Sequence, residues 1–277
     1  MAEIEQFLNQ VIEGDCLQVM ADMPPASIDL ILCDLPYGTT NNPWDIIIDF
    51  ELLWEHYKRL IKPNGIIVLT SAGIFTGKVI LSNAAWFKYK LVWIKSKSTN
   101  FLNSKRQPLR RHEDICVFYN QQPVYNPQMI PGKAYNKGWR KDQNTGTYGK
   151  YNPSLAVNSS GARYPYDILL IDEKGPDDWF YCKTCEHEEQ RPFHPTQKPV
   201  ELGRYLIRTF TQPGAIVLDN ACGCGSFLVA AIREARRFIG IEKNSEAYHH
   251  KLHPINFVEI ARSRIAKEPV PNYLFNS

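Results

Sequence analysis

Apolar positions in this chain fall into short blocks whose period alternates between that of a strand and that of a helix. Ile28-Asp29-Leu30-Ile31-Leu32-Cys33 is a β-branched-rich run ending at Asp34, the pattern of a buried strand. Phe50, Leu53, Trp54, Tyr57, Leu60 and Ile61 fall at i, i+3, i+4, i+7, i+10 and i+11, which predicts an amphipathic helix. Lys62-Pro63-Asn64-Gly65 is expected to stop it, with Ile66-Ile67-Val68-Leu69 as the next strand. Two more strands are expected at Val92-Trp93-Ile94 and Ile115-Cys116-Val117-Phe118-Tyr119. From about 120 to 190 the periodicity fails and Gly, Pro, Asn and Tyr accumulate, which argues for an irregular insert. Order then returns. A helix is expected from Thr196 and Pro199 through Phe210, a strand at Ile216-Val217-Leu218, a helix from Phe227 to Arg236 and a strand at Phe238-Ile239-Gly240-Ile241. Strands alternating with helices of this length imply an α/β fold with a parallel-type sheet.

At 277 residues and 44% hydrophobic content, the chain can bury a core without disulfide or metal staples, and its composition excludes disorder. No apolar run approaches the ~18 residues of a membrane span, and the acidic start Met1-Ala2-Glu3-Ile4-Glu5 is unlike a signal peptide. Seven scattered cysteines fit reduced thiols. These features predict a globular protein of the cytoplasm with no membrane association.

The net charge of +3 conceals an asymmetry. Between Lys95 and Lys150, eleven basic residues face only Glu113, Asp114 and Asp142, so this stretch carries +8 and the remainder −5. Phe101, Tyr125, Tyr135, Trp139, Tyr148 and Tyr151 are interleaved with it. A basic block with aromatics suits a polyphosphate partner, although a solvated surface loop would look the same by composition.

Two strand ends carry candidate chemistry. Val217-Leu218-Asp219-Asn220-Ala221-Cys222-Gly223-Cys224-Gly225-Ser226-Phe227 reads as a strand closing on an acid, a glycine turn and a helix start. Such a turn lines the crevice beyond a strand's carboxyl end with backbone N–H groups. Twenty-three positions after Asp219 the next strand ends in Glu242, placed to accept hydrogen bonds from the ribose hydroxyls of a nucleoside cofactor. The third glycine of a dinucleotide motif is missing, since position 228 is Leu, and pyrophosphate packing is thereby disfavoured. Asp34-Leu35-Pro36-Tyr37-Gly38 follows the first strand. A carboxylate and a main-chain carbonyl that accept both N–H bonds of a base's exocyclic amine localise its nitrogen lone pair. Pro36 stiffens that carbonyl array, and Tyr37 offers a face for an extruded base. A plain strand-ending turn is the alternative for these residues alone.

Asp34-Leu35-Pro36-Tyr37 resembles the D/N/S-P-P-Y/F/W tetrapeptide of the S-adenosylmethionine-dependent amino-methyltransferases that act on DNA, with Leu35 in place of the first proline. Gly14-Asp15-Cys16, Trp44-Asp45 and His194-Pro195-Thr196-Gln197-Lys198-Pro199 resemble further segments of the adenine-methylating members. The catalytic tetrapeptide precedes the cofactor turn, the circularly permuted order of the β class. The resemblance implies a Rossmann-like methyltransferase sheet, with a catalytic half over 1–119, a target-recognition insert over 120–190 and a cofactor half over 191–277. It departs in the cofactor turn, where Asn220-Ala221 replaces the usual Pro-Phe.

Residue by residue, the resemblance implies that Asp34 holds the target amine, with the Leu35 or Pro36 carbonyl as second acceptor and Tyr37 stacking on the base. It assigns S-adenosylmethionine to Asp15 (adenine amino group), to Thr196 and Lys198 (methionine carboxylate) and to Asp219, Gly223, Gly225 and Ser226 (the cofactor turn). Glu242 takes the ribose. Lys105, Arg106, Arg110 and Arg111 are expected to contact the phosphates of double-stranded DNA, from just ahead of a strand. The implied activity is adenine-N6 methylation by base flipping. Cytosine-N4 methylation and a catalytically idle nucleic-acid binder are the alternatives, with a Rossmann-type oxidoreductase disfavoured by the missing glycine and the +8 block. No metal is needed. Cys182 and Cys185 with His187 and His194 form one zinc-like knuckle without a second Cys-x-x-Cys, and no Pro-Cys dipeptide offers the nucleophile of cytosine-C5 chemistry. β-class relatives often pair, so a homodimer is compatible.

Overall fold

The computed structural model describes residues 3–40, 45–140, 143–145, 147, 149–169, 197–244, 249–250 and 253–269. Its elements in chain order are β1 (Gln10–Glu13), α1 (Cys16–Asp22), β2 (Ile28–Cys33), α2 (Phe50–Leu60), β3 (Ile61–Ser71), α3 (Ile74–Ser82), β4 (Phe87–Thr99) and β5 (Arg110–Phe118). The region beyond holds β6 (Tyr135–Arg140), β7 (Gln143–Thr145), β8 (Gly149–Tyr151), β9 (Ser154–Asn158) and β10 (Ile168–Leu169). The last part contributes α4 (Val200–Phe210), β11 (Ile216–Asp219), α5 (Ser226–Arg233), β12 (Arg237–Glu242), a two-residue pair β13 (His249–His250) and β14 (His253–Pro254), and α6 (Phe257–Ala266).

Eight strands form one sheet in the order β1-β12-β11-β2-β3-β5-β4-β10. The first five run parallel, while β5 is antiparallel to both β3 and β4. The expected parallel-type sheet is therefore a mixed one. Because β4 runs in the same direction as β3, the end of β4 and the start of β5 lie at the edge where β2, β3, β11 and β12 finish. This places Lys95 and Glu113 beside Asp34. Both sheet faces are covered, one by a cluster with Leu202, Leu206 and Phe227 from α4 and α5, the other by one with Leu53, Tyr57 and Phe75 from α2 and α3. Strands buried on both sides explain the unbroken apolar runs in the sequence.

Several boundaries differ from the sequence reading. β3 begins at Ile61 and includes Lys62-Pro63-Asn64-Gly65, where its register with β2 shifts between Ile28 and Leu30. Pro63 and Gly65 are accommodated at this irregularity, where neither must support a regular ladder. β4 and β5 extend past their apolar centres into polar, largely exposed residues, Lys95 to Thr99 and Arg110 to Glu113, so the apolar pattern does not mark their ends. Arg110 to Glu113 consequently lie inside β5, not ahead of it. The region from 120 onward is not wholly irregular: β6 pairs with β9, β7 with β8, and β10 joins the main sheet parallel to β4. No helix among the described residues is long and apolar enough to cross a membrane.

Candidate active site

The sheet topology makes one crevice. β2 and β11 are parallel neighbours whose helices pack on opposite faces, and the cavity beyond their carboxyl ends has a volume of about 870 Å³. Its lining includes Asp15, Asp34 to Tyr37, Lys95, Arg110, Glu113, Lys198, Asp219 to Cys224, Ser226 and Glu242. Most of the residues singled out in the sequence thus share a single space. Thr196, Trp44 and the Cys182, Cys185, His187 and His194 set lie outside the described residues.

At the Asp34 end, one carboxylate organises the site. Asp34 Oδ1 accepts from the Tyr37 hydroxyl at 2.9 Å and also from the Thr70 hydroxyl. Asp34 Oδ2 accepts from Lys198 Nζ at 2.6 Å. A carboxylate offers about four lone-pair positions, and one on Oδ2 has no donor among the described residues. The Lys198 ammonium is buried and also lies 3.3 Å from Glu113 Oε2, while Lys95 Nζ donates to Glu113 Oε1 at 2.9 Å. Burial by itself would lower the Lys198 pKa, but the Asp34 and Glu113 carboxylates reverse this and hold it above that of an ordinary lysine. Burial likewise opposes ionisation of Glu113, and the Lys198 and Lys95 charges overcome it, leaving its pKa below the usual glutamate value. Asp34, Glu113, Lys95 and Lys198 therefore form a chain of alternating charge that sums to zero.

Tyr37 packs its ring on Phe75 with centroids 4.7 Å apart, and Lys198 Nζ lies 5.4 Å from the Tyr37 centroid. Burial, with the nearby Asp34 and Glu113 charges, keeps its hydroxyl a donor far above its normal range. The loop that follows is clamped by Asp45, whose carboxylate accepts from the backbone N–H groups of Gly38, Thr39 and Thr40 at 2.7–2.9 Å. Asp45 thereby fixes the backbone that directly follows Tyr37.

At the other end, β11 delivers Asp219 and β12 delivers Glu242 on adjacent strands. The turn between β11 and α5 places Gly223 at φ +50° and Gly225 at φ +79°, a region that side chains disfavour. Gly223 N–H donates to Glu242 Oε2 at 2.7 Å, which ties the two strand ends together. Ser226 opens α5 and is buried near the Arg264 guanidinium, 3.2 Å away. Burial pushes Asp219 up to about 8, and the charges of Asp34 and Glu242 add to this against hydrogen bonds from Cys33 and the Ala221 N–H. Glu242 is raised by burial as well, opposed by N–H groups of Gly223, Asn244 and Lys243. Asp15 caps α1 through Leu17 N–H at 3.0 Å and pairs with Lys243 Nζ at 3.0 Å.

The sequence places Lys198 beside a methionine carboxylate; its ammonium instead joins Asp34 and Glu113 at the Asp34 end of the cavity. Lys95, Thr70 and Glu113 were not singled out as site residues. Glu113 and Asp114 are the only acids between Lys95 and Lys141. That isolation in a basic stretch was the signal available for Glu113. Lys105, Arg106, Arg110 and Arg111 are all exposed, the first two in the β4–β5 connection and the others at the start of β5.

The DNA methylase family that methylates N6 or N4 positions matches residues 28–252. The chain belongs to that family, and membership makes it an S-adenosylmethionine-dependent DNA methyltransferase. It is 24% identical, over 297 aligned positions, to the type II methyltransferase M.BglII from Bacillus subtilis, covering 98% of this chain and 72% of that protein. Its fold is shared with solved structures. The M1.HpyAVI–SAM complex matches at a TM-score of 0.57 and 21% identity, covering 92% of this chain and 98% of that one. The cytosine-N4-specific PvuII DNA methyltransferase matches at 0.56 and 16%, with 93% of each chain covered.

The donor set suits this cofactor. Asp15 and Glu242 present carboxylate acceptors on the cavity wall at the end away from Lys95 and Lys198, with Asp219, pushed up to about 8 by burial, beneath them. An adenosine amino group, a ribose diol and a sulfonium present donors or positive charge to that wall, whereas a pyrophosphate would be repelled by it.

Proposed function

We propose that this protein transfers a methyl group to the exocyclic N6 of an adenine flipped out of double-stranded DNA. The observation carrying this reading is the Asp34 carboxylate. It stands at the end of β2, has one open acceptor position, and shares its cavity with the glycine turn and Glu242. Bound S-adenosylmethionine supplies the methyl group on an activated sulfonium, so no metal or covalent intermediate is required. Glu242 binds the ribose, Gly223, Gly225 and Ser226 form the surrounding turn with Asp219 beneath it, and Asp15 meets the adenine amino group. Lys198, engaged by Asp34 and Glu113, acts at the methyl-acceptor end instead of at the methionine carboxylate.

Asp34 accepts one N–H of the target amine at its free Oδ2 position. The Leu35 or Pro36 carbonyl accepts the other, which draws the nitrogen toward a tetrahedral geometry with a localised lone pair. Once methylated, the nitrogen carries an additional proton, and the same carboxylate is positioned to take it. Tyr37, fixed by Phe75 and by its hydroxyl bond to Asp34, provides the stacking face. Lys198 bonds Asp34 Oδ2 and shares its charge with Glu113, which Lys95 also holds, and this leaves Asp34 hydrogen-bond capacity. An aspartate at position 34 favours adenine, where a serine would favour cytosine.

Nucleoside mass spectrometry of mixed-sequence duplex DNA after incubation with the protein and S-adenosylmethionine tests the reading. N6-methyladenine is the expected product. N4-methylcytosine would retain the site chemistry and reassign the base, whereas no methylated nucleoside across several DNAs would leave an idle binder. The phosphate assignment is tested separately. Replacing Arg110 and Arg111 together with Ala should weaken binding across all sequences and reduce the slope of log K against log salt by about 2. An unchanged slope would remove both from the DNA interface.

A further inference from the structure

The connection between β4 and β5 combines two features that do not belong together on an isolated protein surface. From Lys97 to Arg111 it carries five cations and no acid. At its tip, Phe101 and Leu102 are 72% and 85% exposed, two large apolar side chains in the most basic part of the chain. The tip is held rather than loose. Asn100 takes a left-handed conformation at φ +70°, Asn103 N–H donates to Asn100 O at 3.0 Å, Ser104 N–H to Phe101 O at 3.1 Å and Arg106 N–H to Asn103 O at 2.8 Å. Asn103 Nδ2 adds a bond to Asn100 Oδ1 at 2.6 Å. Consecutive turns thus present Phe101 and Leu102 in a preset geometry only two to five residues beyond Lys97 and Thr99, which line the cavity.

We propose that Phe101 and Leu102 are a wedge that enters the base stack of duplex DNA at the position vacated by the extruded target. The proposal rests on the reading of the protein as a base-flipping methyltransferase. Charge selects the occupant, because a strip of five cations draws in a polyanion and disfavours an apolar protein partner. An apolar tip inside such a strip meets hydrocarbon-like surface only between base pairs, where Phe and Leu are established types of intercalating side chain. Burying two such side chains gains free energy on the same scale as the cost of unstacking one base step. The wedge would therefore offset the cost of keeping the stack open while Asp34 and Tyr37 hold the base.

The test compares wild type with Phe101→Ser/Leu102→Ser on two duplexes of identical sequence. In one the target base is normally paired, and in the other it lies opposite an abasic site, where extrusion costs least. The variant should lose 10-fold or more in kcat/KM on the paired duplex and less than threefold on the abasic one. Its S-adenosylmethionine affinity and melting temperature should match wild type. Equal losses on both duplexes, or none on either, would overturn the wedge. A change in sedimentation from a multimer to a monomer would also overturn it and assign the tip to a second copy of the chain. Wild-type methylation of cytosine N4, or none of the adenine in either duplex, would instead count against the adenine-flipping reading beneath it.

Discussion

Asp34→Ala should reduce methyl transfer by roughly 100- to 10,000-fold, the range spanned by loss of a positioned acid–base group, and leave the fold and cofactor affinity nearly unchanged. The carboxylate is the one group at the end of β2 able to accept the target N–H and then take its proton. No neighbour replaces it, since Tyr37 and Thr70 donate to Asp34 and Glu113 is occupied by two lysines. Folding should survive because Lys198 retains Glu113 as its counter-charge, and an unpaired buried ammonium is avoided. Single-turnover kinetics and calorimetric titration with S-adenosylmethionine separate the two effects. Retained turnover would remove Asp34 from the catalytic role, and lost cofactor binding would show that it shapes the whole cavity.

Glu113→Gln should damage both stability and catalysis, and in distinguishable ways. The substitution removes the carboxylate that Lys95 pairs with and leaves that buried ammonium without a charge partner among the described residues, whereas Asp34→Ala leaves both lysines on Glu113. Removing one partner from a buried ion pair costs about 3–5 kcal/mol, which thermal unfolding would report as a drop of several degrees or more. Lys198, no longer shared with Glu113, settles fully on Asp34 Oδ2 and competes with the target amine for that oxygen. A kcat decrease of roughly tenfold, equivalent to about 1.4 kcal/mol in barrier, is expected with little change in S-adenosylmethionine affinity. Glu113→Asp should recover part of the rate, which a purely volumetric defect would not do. The pH dependence follows from the direction of the shift. The Glu113 pKa is lowered in the folded state from an ordinary value of 4.5, so its stabilisation is complete above about 4.5 and is lost as pH falls further. Acid unfolding of wild type below that point should be shallower in Glu113→Gln. A variant as stable and as active as wild type would show that the lysines need no second carboxylate.

The two ends of the active site differed in how openly the chain displayed them. Ile28 to Cys33 and Ile216 to Asp219 are buried on both sheet faces, so their apolar runs were unbroken and each strand end could be placed from the pattern. Asp34, Asp219 and Glu242 then fell at strand ends by position alone, and the order of the tetrapeptide and glycine turn suggested the permuted family arrangement. β4 and β5 were less visible because their ends are polar and largely exposed, so Arg110 to Glu113 read as a segment before a strand. The strand Ile61–Ser71 was also misplaced at its start, since Pro63 and Gly65 carry turn chemistry that the sheet absorbs at a register shift.

By itself, the sequence determined the strand–helix alternation, the acids that close the parallel strands and the basic character of the region beyond Lys95. These are local properties, set by the period of apolar residues and by a few side chains adjacent in the chain. The charge chain through Asp34, Lys198, Glu113 and Lys95 was decided only by the tertiary structure. Lys198 and Asp34 are separated by 164 positions, and Glu113 faces them only because β5 runs antiparallel between β3 and β4. Strand direction is a consequence of how the whole sheet assembles, and no local pattern of residues around Glu113 encodes which partners it will meet there.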